Sequence, residues 1–147
     1  MVILGIGVDV LHLPRLTRHL AHNRLARRIL SPAELREYLA LPKEDHGRRI
    51  HFLGVRCVPL CRALSSVSNS CRWAVKEAVY KALYPALKPT WQDFTLQKCA
   101  SNPKPNLVYQ PRDSLLSLKL GQIHTSVSHD REYVFATVVV EQPLQMR

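Results

Sequence analysis

Trp73-Ala74-Val75-Lys76-Glu77-Ala78-Val79-Tyr80-Lys81-Ala82-Leu83 is the stretch on which the fold turns. It has no Gly or Pro and consists mostly of Ala, Leu, Lys and Glu, so it predicts a helix. Ala74, Ala78 and Ala82 recur every fourth residue and make a shallow face that another backbone can approach closely. Trp73, Glu77 and Lys81 recur on a second face, stacking a carboxylate and an ammonium beside an aromatic ring. As an exposed i, i+4 ion pair, Glu77 and Lys81 would contribute only about 0.3–0.5 kcal/mol. Any larger role for them has to come from the rest of the chain.

Upstream, Val2-Ile3-Leu4-Gly5-Ile6-Gly7-Val8-Asp9-Val10 is rich in β-branched residues and predicts a strand buried on both faces. Asp9 is out of place in such a strand, so it either caps the next element or has a charged partner. Gly5 and Gly7 are not a dinucleotide fingerprint, because the third glycine is missing and no helix opens there. Between Val10 and Ala33 there is no acidic residue, and Arg15, Arg18, Arg24, Arg27 and Arg28 alternate with an apolar stripe at helical spacing. Three readings compete for this stretch: a solvated surface, a docking face for an acidic partner, or an organelle-targeting segment. Cleavage after a targeting segment would remove the first strand. A solvated face normally mixes charge signs, which favours docking.

Ser31-Pro32-Ala33-Glu34 is a capping box, with Ser at the N-cap, Pro at the first helical position and Glu three residues after the cap. Its helix is expected to end before Pro42, and a second helix near Arg48 carries Ile50, Phe52, Leu53 and Val55 inward. From Cys57 to Arg72 a Pro and a Ser/Asn cluster break the period, which predicts a loop. Downstream, Phe94–Gln97 and Asn106–Tyr109 read as strands flanking a turn at Asn102-Pro103-Lys104-Pro105. A short helical piece is expected near 114–120. His124–Ser128 and Tyr133–Val140 then bracket a polar link, a hairpin signal. Helices among antiparallel strands define an α+β class, here a single domain over residues 1–147 with strands packed on a long central helix.

The formal charge of +10 calls for an anionic partner, whether nucleic acid, a membrane surface, a polyphosphate or an acidic protein. Aromatic residues are 7% of the chain and do not interleave with the basic ones, which argues against a base-stacking platform for nucleic acid. No apolar run reaches membrane-spanning length, and the N-terminus is apolar before it is basic, the reverse of a secretory signal. The chain reads as intracellular, in cytoplasm or mitochondrial matrix, with Cys57, Cys61, Cys71 and Cys99 as reduced thiols. Nothing completes a zinc site begun by Cys57 and Cys61.

Gly5-Ile6-Gly7-Val8-Asp9, Trp73-Ala74-Val75-Lys76-Glu77-Ala78 with Lys81, and His124-Thr125-Ser126-Val127-Ser128-His129-Asp130 together resemble the short holo-acyl-carrier-protein synthases of the 4'-phosphopantetheinyl transferase superfamily. Trp91-Gln92-Asp93 and Lys104-Pro105-Asn106-Leu107 resemble further segments of that family, and the likeness runs in order from Ile3 to Glu141. The resemblance implies Mg²⁺-dependent transfer of 4'-phosphopantetheine from coenzyme A to a serine of an acidic acyl carrier protein, as in fatty acid biosynthesis, with release of 3',5'-ADP. It implies that Asp9 and Glu77 hold the metal and that Lys81 touches a phosphate oxygen. It places His124 near coenzyme A, whereas the residue alone also reads as a hydrogen-bonded core histidine. Glu77 is preferred over His124 as the base for the attacking serine. Arg15, Arg24 and Arg28 become docking residues for the carrier protein, and the family's habit implies a homotrimer with shared sites. The alternatives are an inactive homologue, or a non-enzymatic basic module binding acidic protein or nucleic acid.

Two departures stand out. Tyr84-Pro85-Ala86 replaces the family's Gly-rich turn, which puts coenzyme A contacts from that loop in doubt. Residues 57–72 interrupt what the family builds as one continuous helix. A helix absorbs a one-residue bulge but not sixteen residues containing a Pro and a Ser/Asn run. The segment reads as translated intron. Its sixteen codons are 48 nucleotides, and Arg-Cys and Ser-Cys-Arg at its ends can be coded as splice donor and acceptor, so that excision leaves one arginine codon. A tolerated surface loop is the competing reading.

Overall fold

A computed structural model describes residues 2–12, 14–15, 24–42, 44, 49, 52, 72–99 and 102–143. Among the described residues the elements come in the order β1 (Ile3–His12), α1 (Arg24–Ile29), α2 (Pro32–Ala40), α3 (Arg72–Leu83), β2 (Phe94–Cys99), β3 (Asn102–Tyr109), α4 (Ser114–Ser117), β4 (Ile123–Asp130) and β5 (Tyr133–Glu141). β1, β5 and β4 form an antiparallel sheet with β5 in the middle, and β2 pairs with β3 in a second. This is the α+β architecture expected, with α3 packed on the three-stranded sheet.

The alanine stripe explains how α3 sits there. A Cβ added to Gly7 would lie 1.9 Å from the carbonyl oxygen of Ala78, and one added to Gly5 would lie 1.9 Å from that of Ala82. Glycine is required at both because the strand's main chain rests on the helix's main chain. The face of α3 around this contact, with Val75, Val79 and Leu83, is buried against Val134, Ala136, Val138 and Val140 of β5.

β1 is not covered on both faces as its composition suggested. Gly5, Gly7, Asp9 and Leu11 alternate toward the helix, whereas Ile6, Val8 and Val10 remain 58%, 51% and 46% exposed. The single helix layer covers one side of this edge strand. Tyr133 and Phe135, paired with His12 and Val10, continue the same open face.

The capping box is present as expected, and α2 stops at a Leu41 C-cap before Pro42. Arg49 and Phe52, from the expected second helix, are helical and buried; its other residues, and 57–71, lie outside the described ones. Arg72 belongs to the first turn of α3, not to the loop predicted through it. The turn expected at Asn102–Pro105 is instead the start of β3, with Lys98 opposite Pro105 and Cys99 opposite Asn102 across a register shift. Proline fits here because the pair is only two strands wide, so its missing N–H can face away from the ladder. The β4–β5 link is also shorter than expected: the ladder runs to Asp130 opposite Tyr133, and Arg131 turns the chain at φ 48°.

Candidate active site

Asp9 and Glu77 come from β1 and α3 and meet across the close helix–strand contact. Lys81, one turn beyond Glu77, reaches over to Asp9, its Nζ donating to Oδ1 at 2.8 Å and to the Val8 carbonyl at 3.0 Å. Of the two readings of Asp9, a cap or a charged partner, the second holds: β1 runs on past it to His12, and Lys81 is the partner. Glu77 is half-buried, and burial first, then the negative charge of Asp9, raise its carboxyl above the usual glutamate value. Lys81 and Arg28 pull in the opposite direction. Two carboxylates close enough to oppose each other's ionisation are a donor set suited to a hard divalent cation that keeps waters and phosphate oxygens as its other ligands. Among the described residues no cluster of three or more His, Cys, Asp or Glu side chains offers a fuller protein cage. The residues present therefore fit Mg²⁺ bound in part by its substrate.

His124 does not join this group within one chain. It pairs with Val139, which pairs with Ile6, and so lies on the open side of the sheet, opposite the Asp9 side. Its Nε2 lies 2.7 Å from Glu141 Oε1, and the imidazole is nearly half exposed. Arg15 and Arg24 are exposed. Arg28 is exposed too, but its guanidinium sits 4.9 Å over the Trp91 ring.

Behind the site is a buried ionic knot that sequence reasoning missed. Glu34 Oε2 accepts from the Ser31 amide at 2.9 Å and from Lys76 Nζ. Its Oε1 accepts from Arg72 Nε at 3.2 Å and from the Leu96 amide at 3.0 Å. Lys76 also donates to the Ile29 carbonyl at 2.7 Å. Burial lowers the Lys76 pKa, and the Glu34 charge works against that. One carboxylate therefore ties α2, β2 and α3 together, and Lys76 adds α1 through the Ile29 carbonyl. The signal available was the helical period itself: Lys76 shares a face with Val75, Val79 and Leu83, so it needed an internal partner.

The profile of the 4'-phosphopantetheinyl transferase superfamily matches residues 5–138. Holo-[acyl-carrier-protein] synthase of Edwardsiella ictaluri is 31% identical over 147 residues, covering 96% of this chain and 99% of the relative. The crystal structure of the Neisseria meningitidis synthase superposes with a TM-score of 0.67 at 25% identity, covering 95% and 99% of the two chains. That of the Helicobacter pylori synthase, in complex with coenzyme A, shares the fold with a TM-score of 0.61 at 21% identity, over 92% and 99%. The chain belongs to the 4'-phosphopantetheinyl transferase superfamily. Within it, it stands as an enzyme among the holo-[acyl-carrier-protein] synthases. Among the described residues no helix is long and apolar enough to cross a membrane.

Proposed function

We propose that this enzyme moves 4'-phosphopantetheine from coenzyme A to a serine of an apo acyl carrier protein, with Mg²⁺, in an intracellular compartment. The observation that carries the reading is the meeting of Asp9 and Glu77 from two elements, with Lys81 bound to Asp9 beside them. In the reaction the serine oxygen attacks the phosphorus bearing the pantetheine arm, the P–O bond to the nucleotide breaks, and 3',5'-ADP leaves. Asp9 and Glu77 are the metal ligands, and Mg²⁺ held there would neutralise charge on the pyrophosphate. Glu77 takes the serine proton. Lys81 holds a phosphate oxygen and can protonate the leaving group. His124 orients the nucleotide in the site of a neighbouring copy, and the open apolar face around Ile6, Val8, Val10 and Phe135 is covered by that copy in a homotrimer. Incubating the full chain with coenzyme A, Mg²⁺ and apo carrier protein should add one phosphopantetheine mass to the carrier and release 3',5'-ADP. An unmodified carrier with every candidate carrier protein would identify an inactive homologue.

The +10 charge finds its partner in the acidic carrier protein, docked on Arg15 and Arg24. Arg15→Glu and Arg24→Glu are each expected to raise KM for the carrier about tenfold while leaving that for coenzyme A within twofold, and the wild-type carrier KM should rise with salt. Equal effects on both substrates would remove these arginines from docking.

Residues 57–72 stand outside the working enzyme on this reading. The end of the segment already meets the chain before it: its last residue, Arg72, donates from a terminal guanidinium nitrogen to the Phe52 carbonyl at 3.3 Å, and its guanidinium lies 4.0 Å from the Phe52 ring centre. Excision sets Arg56 directly before Trp73, so the Glu34 knot keeps its arginine. Closing a sixteen-residue loop costs about 2 kcal/mol. Deleting 57–72 should therefore raise the unfolding free energy by about that much and raise the transfer rate, and transcripts should mostly lack the 48 nucleotides. Transcripts that keep them, with a deleted protein that is less stable and less active, would make the segment a functional loop.

A further inference from the structure

We infer that Arg28 is a second cation of the reaction site, gripping the pyrophosphate of coenzyme A opposite Lys81, and not a carrier-docking residue. The inference rests on the proposed reaction and goes beyond it in assigning a residue to the nucleotide substrate. Arg28 ends the basic stretch, and the family resemblance groups it with Arg15 and Arg24, yet among the described residues it alone of the three is held against a tryptophan ring. Its guanidinium carbon lies 4.9 Å from the Trp91 ring centre, and Trp91 stacks on Trp73 at 5.9 Å. Trp73 is one helical turn before Glu77 on the same face of α3. The 3₁₀ turn carrying Trp91 is fastened to the same end of α1, because Gln92 Nε2 donates to the Arg27 carbonyl at 2.7 Å.

This arrangement holds the guanidinium by the Trp73–Trp91 stack, on the face of α3 that carries Glu77, and its charge acts on Glu77 together with that of Lys81. Among the described residues no carboxylate accepts its N–H donors, in contrast to Lys81, which is bound to Asp9. A stacked guanidinium has its rotamers restricted while its N–H edge stays open, which suits it to a phosphate approaching in the ring plane. The charges also balance: two carboxylates face two cations. With a divalent ion on the carboxylates, Lys81 and Arg28 remain for the diphosphate.

The test is calorimetric titration of coenzyme A into the full chain with Mg²⁺ and no carrier protein, alongside KM for the carrier. Arg28→Gln is expected to weaken coenzyme A binding about tenfold, the loss of one charge-assisted contact, with carrier KM within twofold of wild type. Arg24→Gln should do the reverse. Arg28→Lys keeps the charge and loses the fork, so it should fall between, and it serves as the second variant if Arg28→Gln disturbs the Trp73–Trp91 stack seen by near-ultraviolet circular dichroism. Unchanged coenzyme A affinity in both Arg28 variants overturns the inference, whether or not carrier KM rises. A wild-type chain that does not bind coenzyme A would instead overturn the proposed reaction itself.

Discussion

Asp9→Asn and Glu77→Gln are each expected to lower the transfer rate on the order of a thousandfold, at saturating Mg²⁺, while the thermal midpoint moves little. Both replacements keep side-chain volume and one acceptor oxygen, so Lys81 can still bind at position 9 and the half-buried pocket at 77 stays filled. What each removes is one negative charge from the pair that β1 and α3 bring together, in which burial first and then the Asp9 charge raise the Glu77 pKa. Loss of a metal ligand should also shift the Mg²⁺ dependence to higher concentration, an effect a merely misfolded variant would not give. Either variant retaining a tenth or more of wild-type turnover would remove that carboxylate from the metal site.

Glu34→Ala should be the most destabilising single change at a charged position. It strands the ammonium of Lys76, 1% exposed at its side chain, and takes from Arg72 its buried carboxylate, leaving the exposed Glu37 at 3.6 Å as that guanidinium's carboxylate partner. Breaking a buried pair in this way costs about 3–5 kcal/mol, a large share of the roughly 5–15 kcal/mol that holds a domain together. Lys76→Met is expected to cost less, because Arg72 still neutralises Glu34 and an unbranched apolar chain fills the lysine's path. Urea denaturation of the three proteins measures both. A Glu34→Ala variant within about 1 kcal/mol of wild type would show that the knot contributes nothing net.

Much of this was legible in the chain. The alanine stripe announced a close backbone contact, and Gly5 and Gly7 provide it. Asp9 asked for a cation, and Lys81 supplies one. Glu34 was read as a cap and is one, but its sequence signature is the same whether its remaining lone pairs face water or a lysine from 42 residues away. The apolar β1 pattern reports that its outward residues avoid water without saying whose surface covers them. His124 was found by motif, yet its face depends on the β4–β5–β1 register, which period-two alternation alone does not fix. Arg28 looked like one basic residue among five. Only the placement of Trp91, 63 positions away, separates it from the others.

The main-chain contact between β1 and α3 carries a consequence for how the site tolerates change. Where two elements are held apart by side chains, each core substitution resets their spacing. Here glycine α-carbons rest on helix carbonyls, so the strand and helix meet a hard stop that no swap of Val for Ile elsewhere can move. The gap between the Asp9 and Glu77 carboxylates is therefore gauged by the backbone. What remains free is sliding or rotation of the helix along the strand, and the ionic knot at its first two turns pins both. The carboxylate pair can hold its width while the rest of the core drifts.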